Sequence, residues 1–239
     1  MKLKNVLTVV IFLFFGFLLF YKLGDNYLSN WDEAWYADIG RSMVRTGNLF
    51  TPLFNQETFF EKPPLYYWLL FGFFNIFGIN EFAARFPSAI AALGTGILVF
   101  LLGQQLFKRD IAIASVLVLA STIGFLYRSR TGNLDSVLSF FILATIYSFF
   151  MRWYLLMGLS IALAFLTKGF IAYLFPTLAI LYFILRREKE IFNKKFIQGI
   201  LLGIFIPSVW VVLNIFLNGD DFTFQFFHNQ TEKFSETIS

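Results

Sequence analysis

The groups able to do chemistry in this chain sit in a few short polar stretches. Ser29-Asn30-Trp31-Asp32-Glu33 sets two carboxylates side by side, and Glu61-Lys62-Pro63-Pro64 sets an acid and a base directly ahead of the apolar run LYYWLLFGFF. Further on, Arg128-Ser129-Arg130-Thr131-Gly132-Asn133-Leu134-Asp135 mixes cations with one acid, and Lys168-Gly169 falls in the turn LTKGF. Carboxylates of this kind can take a proton from a hydroxyl, and positioned cations can stabilise an anion as it forms. The chain has no cysteine, so thiolate nucleophiles, disulfides and cysteine-bound metals are excluded. Its single histidine, His228, has no companion at metal-ligand spacing and reads as a surface group, so no metal site is legible.

These stretches interrupt a very apolar background. Of 239 residues, 58% are hydrophobic and 14% charged, 35 are Phe, and the mean hydropathy is +0.68. That composition belongs to a membrane protein rather than a soluble domain. The net charge of +4 does not point to nucleic acid. Its cations stand in short clusters between apolar runs, which is how Lys and Arg orient a protein in a bilayer.

A spanning helix needs about 20 apolar residues. Candidates are Val6 to Tyr21, Phe86 to Phe107, Ile111 to Tyr127, Val137 to Met151, Trp153 to Thr167, Phe170 to Leu185 and Phe196 to Leu217, which makes seven. Residues 64–77 would form a helix of about 21 Å, short of a hydrocarbon core roughly 30 Å thick. Loop charge decides how to read it. If this segment lies at the surface, Lys2, Lys4, Lys108, Arg109, Arg152, Arg186, Arg187, Lys189, Lys194 and Lys195 all fall on the cytoplasmic side. The short outer loops then keep only Arg128, Arg130 and Lys168. If it spans, the later clusters invert and the positive-inside bias is lost. The expected fold is therefore an all-α membrane protein of about seven spans, with residues 23–85 as an outer loop that carries two interfacial helices.

The first of these helices is expected over SNWDEAWYADIGRSMVRTGN. Ser29 or Asn30 can cap it, Gly47 can end it, and Trp31, Trp35, Ile39 and Met43 form an apolar stripe suited to the headgroup zone. On spacing alone, Asp32 and Glu33 equally well complement the helix dipole. The second helix starts at the prolines, where a missing N–H does no harm. Asp135 stands where a helix cap would, and Lys168 where a lysine at the end of a span reaches for headgroups. The six later spans hold no Asp, Glu, Lys or Arg between their ends. This argues against a polyprenyl-linked sugar flippase or an ion-coupled transporter, whose path would need polar groups. A non-catalytic assembly subunit is the other alternative, and it would need no acidic motif.

Three ordered markers carry a family resemblance: Asp32-Glu33-Ala34 with Tyr36-Ala37, Asn55-Gln56-Glu57 leading to Phe60-Glu61-Lys62-Pro63-Pro64, and Asn80-Glu81-Phe82-Ala83-Ala84-Arg85. With the 129–135 loop and Leu166-Thr167-Lys168-Gly169, the chain closely resembles the N-terminal module of GT-C type membrane glycosyltransferases. That group contains the lipid A aminoarabinose transferase and the protein O-mannosyltransferases. The resemblance implies an inverting transfer of a sugar from a polyprenyl-phosphate carrier to a lipid A, polysaccharide or protein acceptor, on the outer side of a bacterial inner membrane. It implies Asp32 as general base with Glu33 sharing the work, and Lys62 as the cation facing the donor phosphate. Glu61, Arg85, Arg130, Asp135 and Lys168 then serve as substrate-binding groups. No nucleic acid, metal or further cofactor follows from it. Two departures stand out. Trp35 replaces an Arg found in many relatives, and the chain stops at Ser239 where relatives continue, so it is expected to be a front module alone.

The charge count makes a topological prediction: the 186–195 cluster faces the cytoplasm, while Asp32 and Asp135 face outward. In this cysteine-free chain, Glu190→Cys should be protected from an impermeant thiol reagent in intact spheroplasts and labelled after permeabilisation. Labelling from outside would overturn the topology.

Overall fold

A computed structural model describes residues 2–29, 31–186 and 193–228. Helix α1 spans Lys2–Phe20, α2 Asp32–Thr46, α3 Leu65–Phe77, α4 Glu81–Leu106 and α5 Arg109–Ser121. Then come α6 Ile123–Ser129, α7 Leu134–Phe150, α8 Tyr154–Lys168, α9 Leu174–Arg186 and α10 Lys194–Thr223. A 3-10 turn, Gly169–Tyr173, leads from α8 into α9, and a π-helical turn, Phe224–His228, follows α10. A small hairpin pairs β1, Leu53–Phe54, with β2, Glu57–Thr58. Its turn residues Asn55 and Gln56 both have positive φ, 50° and 70°, as a two-residue hairpin with the right twist demands.

Among the described residues three helical runs are long and apolar enough to cross a membrane, Glu81–Leu106, Tyr154–Arg186 and Lys194–His228, and a fourth if α5 and α6 form one bent span. The candidate span from Ile111 to Tyr127 corresponds to this bent pair. The chain turns by 70° between α5 and α6, because the hydroxyls of Ser121 and Thr122 both bond the Val118 carbonyl, at 2.9 and 2.8 Å. They draw the backbone out of the helical ladder there. The run Tyr154–Arg186 is broken at Gly169 (φ 80°, ψ −143°). Helix α10 runs parallel to α8, with Phe196 on Tyr154 at one end and Trp210 clustered with Leu166 at the other. The intervening chain therefore has to return.

Positive charge marks the two ends of the bundle. At one end Arg109 donates to Asn5 Oδ1 and Thr8 Oγ1, tying the start of α5 to the start of α1. Arg187 and Lys189 of the expected cytoplasmic cluster lie outside the described residues. The opposite end holds α2, α3, the hairpin and the α6–α7 loop.

Helix α2 packs into this layer more deeply than an interfacial stripe requires. Steps of four residues drift by about 40° each around a 3.6-residue helix, so the expected stripe spreads over about 120°. Ile39 and Met43 are buried, while Trp31 is 73% exposed. The buried face instead carries Glu33, Tyr36, Ala37, Ile39, Gly40 and Met43. Gly40 admits α3 so closely that a Cβ there would stand 2.7 Å from that of Leu70. The expected serine cap is also revised. Trp31 occupies the N-cap with no side-chain cap bond, Asn30 lies outside the described residues, and Ser29 donates its N–H and hydroxyl to Glu33 Oε2, at 2.7 and 2.9 Å. Gly47 does end the helix, at φ 70°. Pro64 precedes α3, its carbonyl accepting from the Trp68 N–H at 2.9 Å.

One buried ion pair fixes the layer. Arg85 of α4 donates Nε–H to Glu33 Oε1 at 2.7 Å and Nη2–H to Oε2 at 3.2 Å. Its remaining hydrogens go to the carbonyls of Leu23, Asn26 and Tyr27, at 2.8 to 2.9 Å. All five donors of the guanidinium are thus engaged. Glu33 Oε1 also accepts the Gly132 N–H at 2.7 Å. The exit of α1, the start of α2, α4 and the α6–α7 loop meet at this node. Packing at Gly132 is tight: a Cβ there would lie 3.1 Å from both the Ala84 oxygen and Glu33 Cγ.

Burial pushes the Glu33 carboxyl up, but bonds from Arg85, Ser29 and Gly132 and the charge of Arg85 outweigh it, so its pKa is lowered. A depressed carboxylate contributes stability that is complete above its unfolded value, about 4.3, and lost as pH falls through the lower folded value. Glu33→Gln should therefore cost about 3–5 kcal/mol at neutral pH, because it strands a buried guanidinium. The penalty should shrink at acid pH, where the wild type loses the same contribution. Thermal unfolding in detergent against pH checks both, and a penalty independent of pH would refute the assignment.

Candidate functional site

Asp32 opens α2 beside this node. Because Glu33 holds Gly132, the α6–α7 loop is drawn up to the start of α2, and a cleft of about 220 Å³ forms between them. Asp32 lies in it with Trp31, Tyr127, Arg128, Thr131 and Asn133. Asp32 is exposed and lines this polar cleft, whereas Glu33, one residue on, is 3% exposed and saturated with donors. Two adjacent acids thus have opposite surroundings, and Asp32 is the one that a substrate can reach.

Asp135 is not the cap of α7. Asn133 is: its Oδ1 accepts the N–H groups of Asp135 and Ser136 at 3.0 and 3.3 Å. The Asp135 carboxylate is left to bridge two cations, Arg128 Nη2 at 3.0 Å and Lys168 Nζ at 2.5 Å. Lys168 therefore turns onto the site rather than reaching away from it. Arg130 points elsewhere, donating to the carbonyls of Leu18 and Tyr21 and so closing the C-terminal end of α1. Arg85 lies wholly within the node. Of the cations expected to contact substrate, Arg128 and Lys168 meet Asp135, Arg85 holds Glu33 and three backbone carbonyls, and Arg130 holds backbone carbonyls.

Glu61 and Lys62 are half-buried on the segment between the hairpin and α3, and buried neighbours fix them on both sides: Phe60 before, Pro63 and Pro64 after. Phe60 donates its N–H to Gln225 Oε1 at 2.9 Å, and its ring packs edge-on to Phe222 at 5.4 Å. Gln225 returns a bond to Thr58 at 3.2 Å, and Thr51 bonds Asn218 at 3.0 Å. The segment is thus fastened to the end of α10 and the turn after it, a partnership that nothing in the sequence of residues 51–62 discloses.

Glu61, Asp32 and Asp135 come from three separate stretches, yet they share a neighbour. Burial first, then the charges of Asp32 and Asp135, the Tyr66 ring and Glu61, push the Tyr36 hydroxyl far above its ordinary pKa. Tyr36 packs on Tyr66 and Tyr67, ring centroids 5.6 and 5.9 Å apart. This tyrosine floor was not anticipated; its only signal was the Tyr-Tyr pair after the two prolines. Among the described residues no group of three or more His, Asp or Glu side chains is arranged to hold a metal ion.

The chain is similar to known proteins. Residues 61–213 match the family described as dolichyl-phosphate-mannose-protein mannosyltransferase. An uncharacterized protein of Aquifex aeolicus is 36% identical over 202 residues, 84% of this chain and 47% of its own length. The undecaprenyl phosphate-alpha-4-amino-4-deoxy-L-arabinose arabinosyl transferase of Wigglesworthia glossinidia brevipalpis is 32% identical over 213 residues, 82% of this chain and 37% of its own. The crystal structure of ArnT from Cupriavidus metallidurans bound to undecaprenyl phosphate superposes with a TM-score of 0.84 at 23% identity, covering 92% of this chain and 44% of that one. The chain spans less than half the length of these relatives. With most of its length inside the family's match and an ArnT-like helical fold, the chain is an integral membrane protein of the dolichyl-phosphate-mannose-protein mannosyltransferase family.

Proposed function

We propose that the protein carrying this chain is an inverting glycosyltransferase that moves a sugar from polyprenyl phosphate to a lipid A, polysaccharide or protein acceptor, on the outer face of a bacterial inner membrane. This chain supplies seven spans and the outer layer that bears the site. The observation that carries the reading is the meeting of one reachable acid, Asp32, with the cations Arg128 and Lys168 at the same end of the bundle. The names of the relatives supply the donor class: those of transferases printed with undecaprenyl phosphate, and of the mannosyltransferase family printed with dolichyl phosphate.

The chemistry is a single displacement. The acceptor oxygen bonds to the anomeric carbon as its proton passes to Asp32. The bond from that carbon to the phosphate oxygen breaks, and polyprenyl phosphate leaves with its electron pair. Negative charge grows on the leaving phosphate, so Lys62, together with Lys168 and Arg128, lowers the barrier by binding the transition state more tightly than the ground state. Asp135 holds those two cations in place, and Glu61 faces the sugar. Glu33 and Arg85 act one step back, positioning Asp32 and the 128–135 loop. An apolar groove of about 520 Å³, lined in part by Phe165, Phe170, Tyr173 and Phe227, lies below Lys168 and suits an isoprenoid chain.

In the full-length enzyme, Asp32→Asn should preserve folding and lower transfer by roughly 100-fold or more, the scale for losing a general base. A rate near wild type would return Asp32 to a helix-dipole role. At Lys62, Ala should harm transfer more than Arg does, since the task is to neutralise phosphate, and should weaken undecaprenyl phosphate binding in nanodiscs. Unchanged lipid affinity in Lys62→Ala would count against the assignment.

A further inference from the structure

Tyr66 and Tyr67 are neighbours in sequence and opposites in chemistry. Both are fully buried on α3. Tyr66 shares a hydrogen bond with Ser88 at 3.1 Å, and Ser88 bonds the Asn133 carbonyl at 2.7 Å, so its hydroxyl belongs to the scaffold. Among the described residues the Tyr67 hydroxyl has no hydrogen-bond partner. An unpaired buried hydroxyl destabilises a fold, and phenylalanine would fill the same space without that cost. The oxygen of Tyr67 is therefore one that the folded chain does not use.

Its surroundings define what could use it. Burial foremost, then Tyr36, Glu61, Asp32 and Tyr66, keep the Tyr67 proton in place, so the group is a neutral donor and acceptor rather than an acid or base. The nearby carboxylates repel an anion, and the donor phosphate is better served by Lys62, Lys168 and Arg128. A sugar hydroxyl fits both needs, because it can accept from the phenol and donate to a carboxylate. We propose that the Tyr67 hydroxyl, buried against the Tyr36 ring with no partner among the described residues, is a specificity-determining contact for a ring hydroxyl of the transferred sugar. This rests on the proposed transferase reading. Since the oxygen is closed off from solvent, its use requires a local opening between α2 and α3 when the donor binds.

The paired variants Tyr67→Phe and Tyr66→Phe of the full-length protein in nanodiscs test this. Tyr67→Phe should melt at or above the wild-type temperature and bind undecaprenyl phosphate, which has no sugar, as the wild type does. Its kcat/KM on undecaprenyl-phosphate-linked sugars should fall roughly 10-fold or more, as when a site built to bond a hydroxyl loses its partner. A monodeoxy donor lacking the contacted hydroxyl should react equally with both proteins. Tyr66→Phe should melt lower and keep its kcat/KM. Wild-type kcat/KM in Tyr67→Phe on every donor, or a lower melting temperature with weaker undecaprenyl phosphate binding, overturns this proposal alone. A wild-type protein that neither binds undecaprenyl phosphate nor transfers sugar overturns both readings.

Discussion

The layer that α2, α3 and the α6–α7 loop build at one end of the bundle depends on the Glu33–Arg85 ion pair. Removing two charges from water is expensive, and attraction between them offsets the cost only when every remaining donor and acceptor is satisfied. Here that condition is met. The guanidinium spends five hydrogens on one carboxylate and three carbonyls, and the carboxylate takes further donors from Ser29 and Gly132. The pair draws on four separate segments, so it cannot form until all four are in place. Its contribution is geometric as much as energetic: it sets the start of α2 against the α6–α7 loop, and the cleft at Asp32 is the space left between them.

The same pair explains what could and could not be read from the sequence. Helical character, the start of α3 after the prolines and the stop at Gly47 follow from local chemistry: run length, proline at a helix start and glycine at a helix end. The polar stretches bearing the site were equally plain, because charge is conspicuous in so apolar a chain. Sequence could not divide labour within those stretches. Asp32 and Glu33 are adjacent acids in the same helical turn, and only the partner brought by Arg85, 52 positions away, separates the buried acid from the reachable one. Arg128 and Arg130 differ likewise. Two residues apart, one meets Asp135 and the other closes α1, a choice made by the 70° bend that precedes them. That bend comes from two hydroxyls competing for one carbonyl, a signal present in Ser121-Thr122 but too weak to outweigh the apolar run around it.

Cations near a membrane surface have an easy alternative to any specific role, since a lysine at a helix end reaches the headgroups at little cost. Lys168 does otherwise, turning inward to Asp135, which Arg128 also meets. Side chains in this triad are 33–52% exposed, so the attraction is screened and each contact is individually weak. Such an arrangement holds two cations together near one spot without burying them. The two cations are therefore already gathered and still reachable by an anion.

The position of Lys62 is settled farther away still. Parallel α8 and α10 approach through glycines: a Cβ on Gly158 would lie 2.1 Å from the Gly199 carbonyl oxygen, and one on Gly203 would lie 3.0 Å from Ile161. Inside a bilayer, where the hydrophobic effect between helices vanishes, small residues that let backbones touch are what make helix pairs tight. That contact sets the depth and angle of α10, and the kink at Gly219, φ 54°, turns the chain after it over the outer layer. Phe222 and Phe226 then close on Phe60, and Gln225 takes the Phe60 N–H. Two residues later comes Lys62, with buried prolines behind it. A cation at the membrane surface is thereby referenced to glycines within the bundle, and bulk added at Gly158 or Gly199 would be transmitted along α10 to the hairpin and on to the segment that carries the cation.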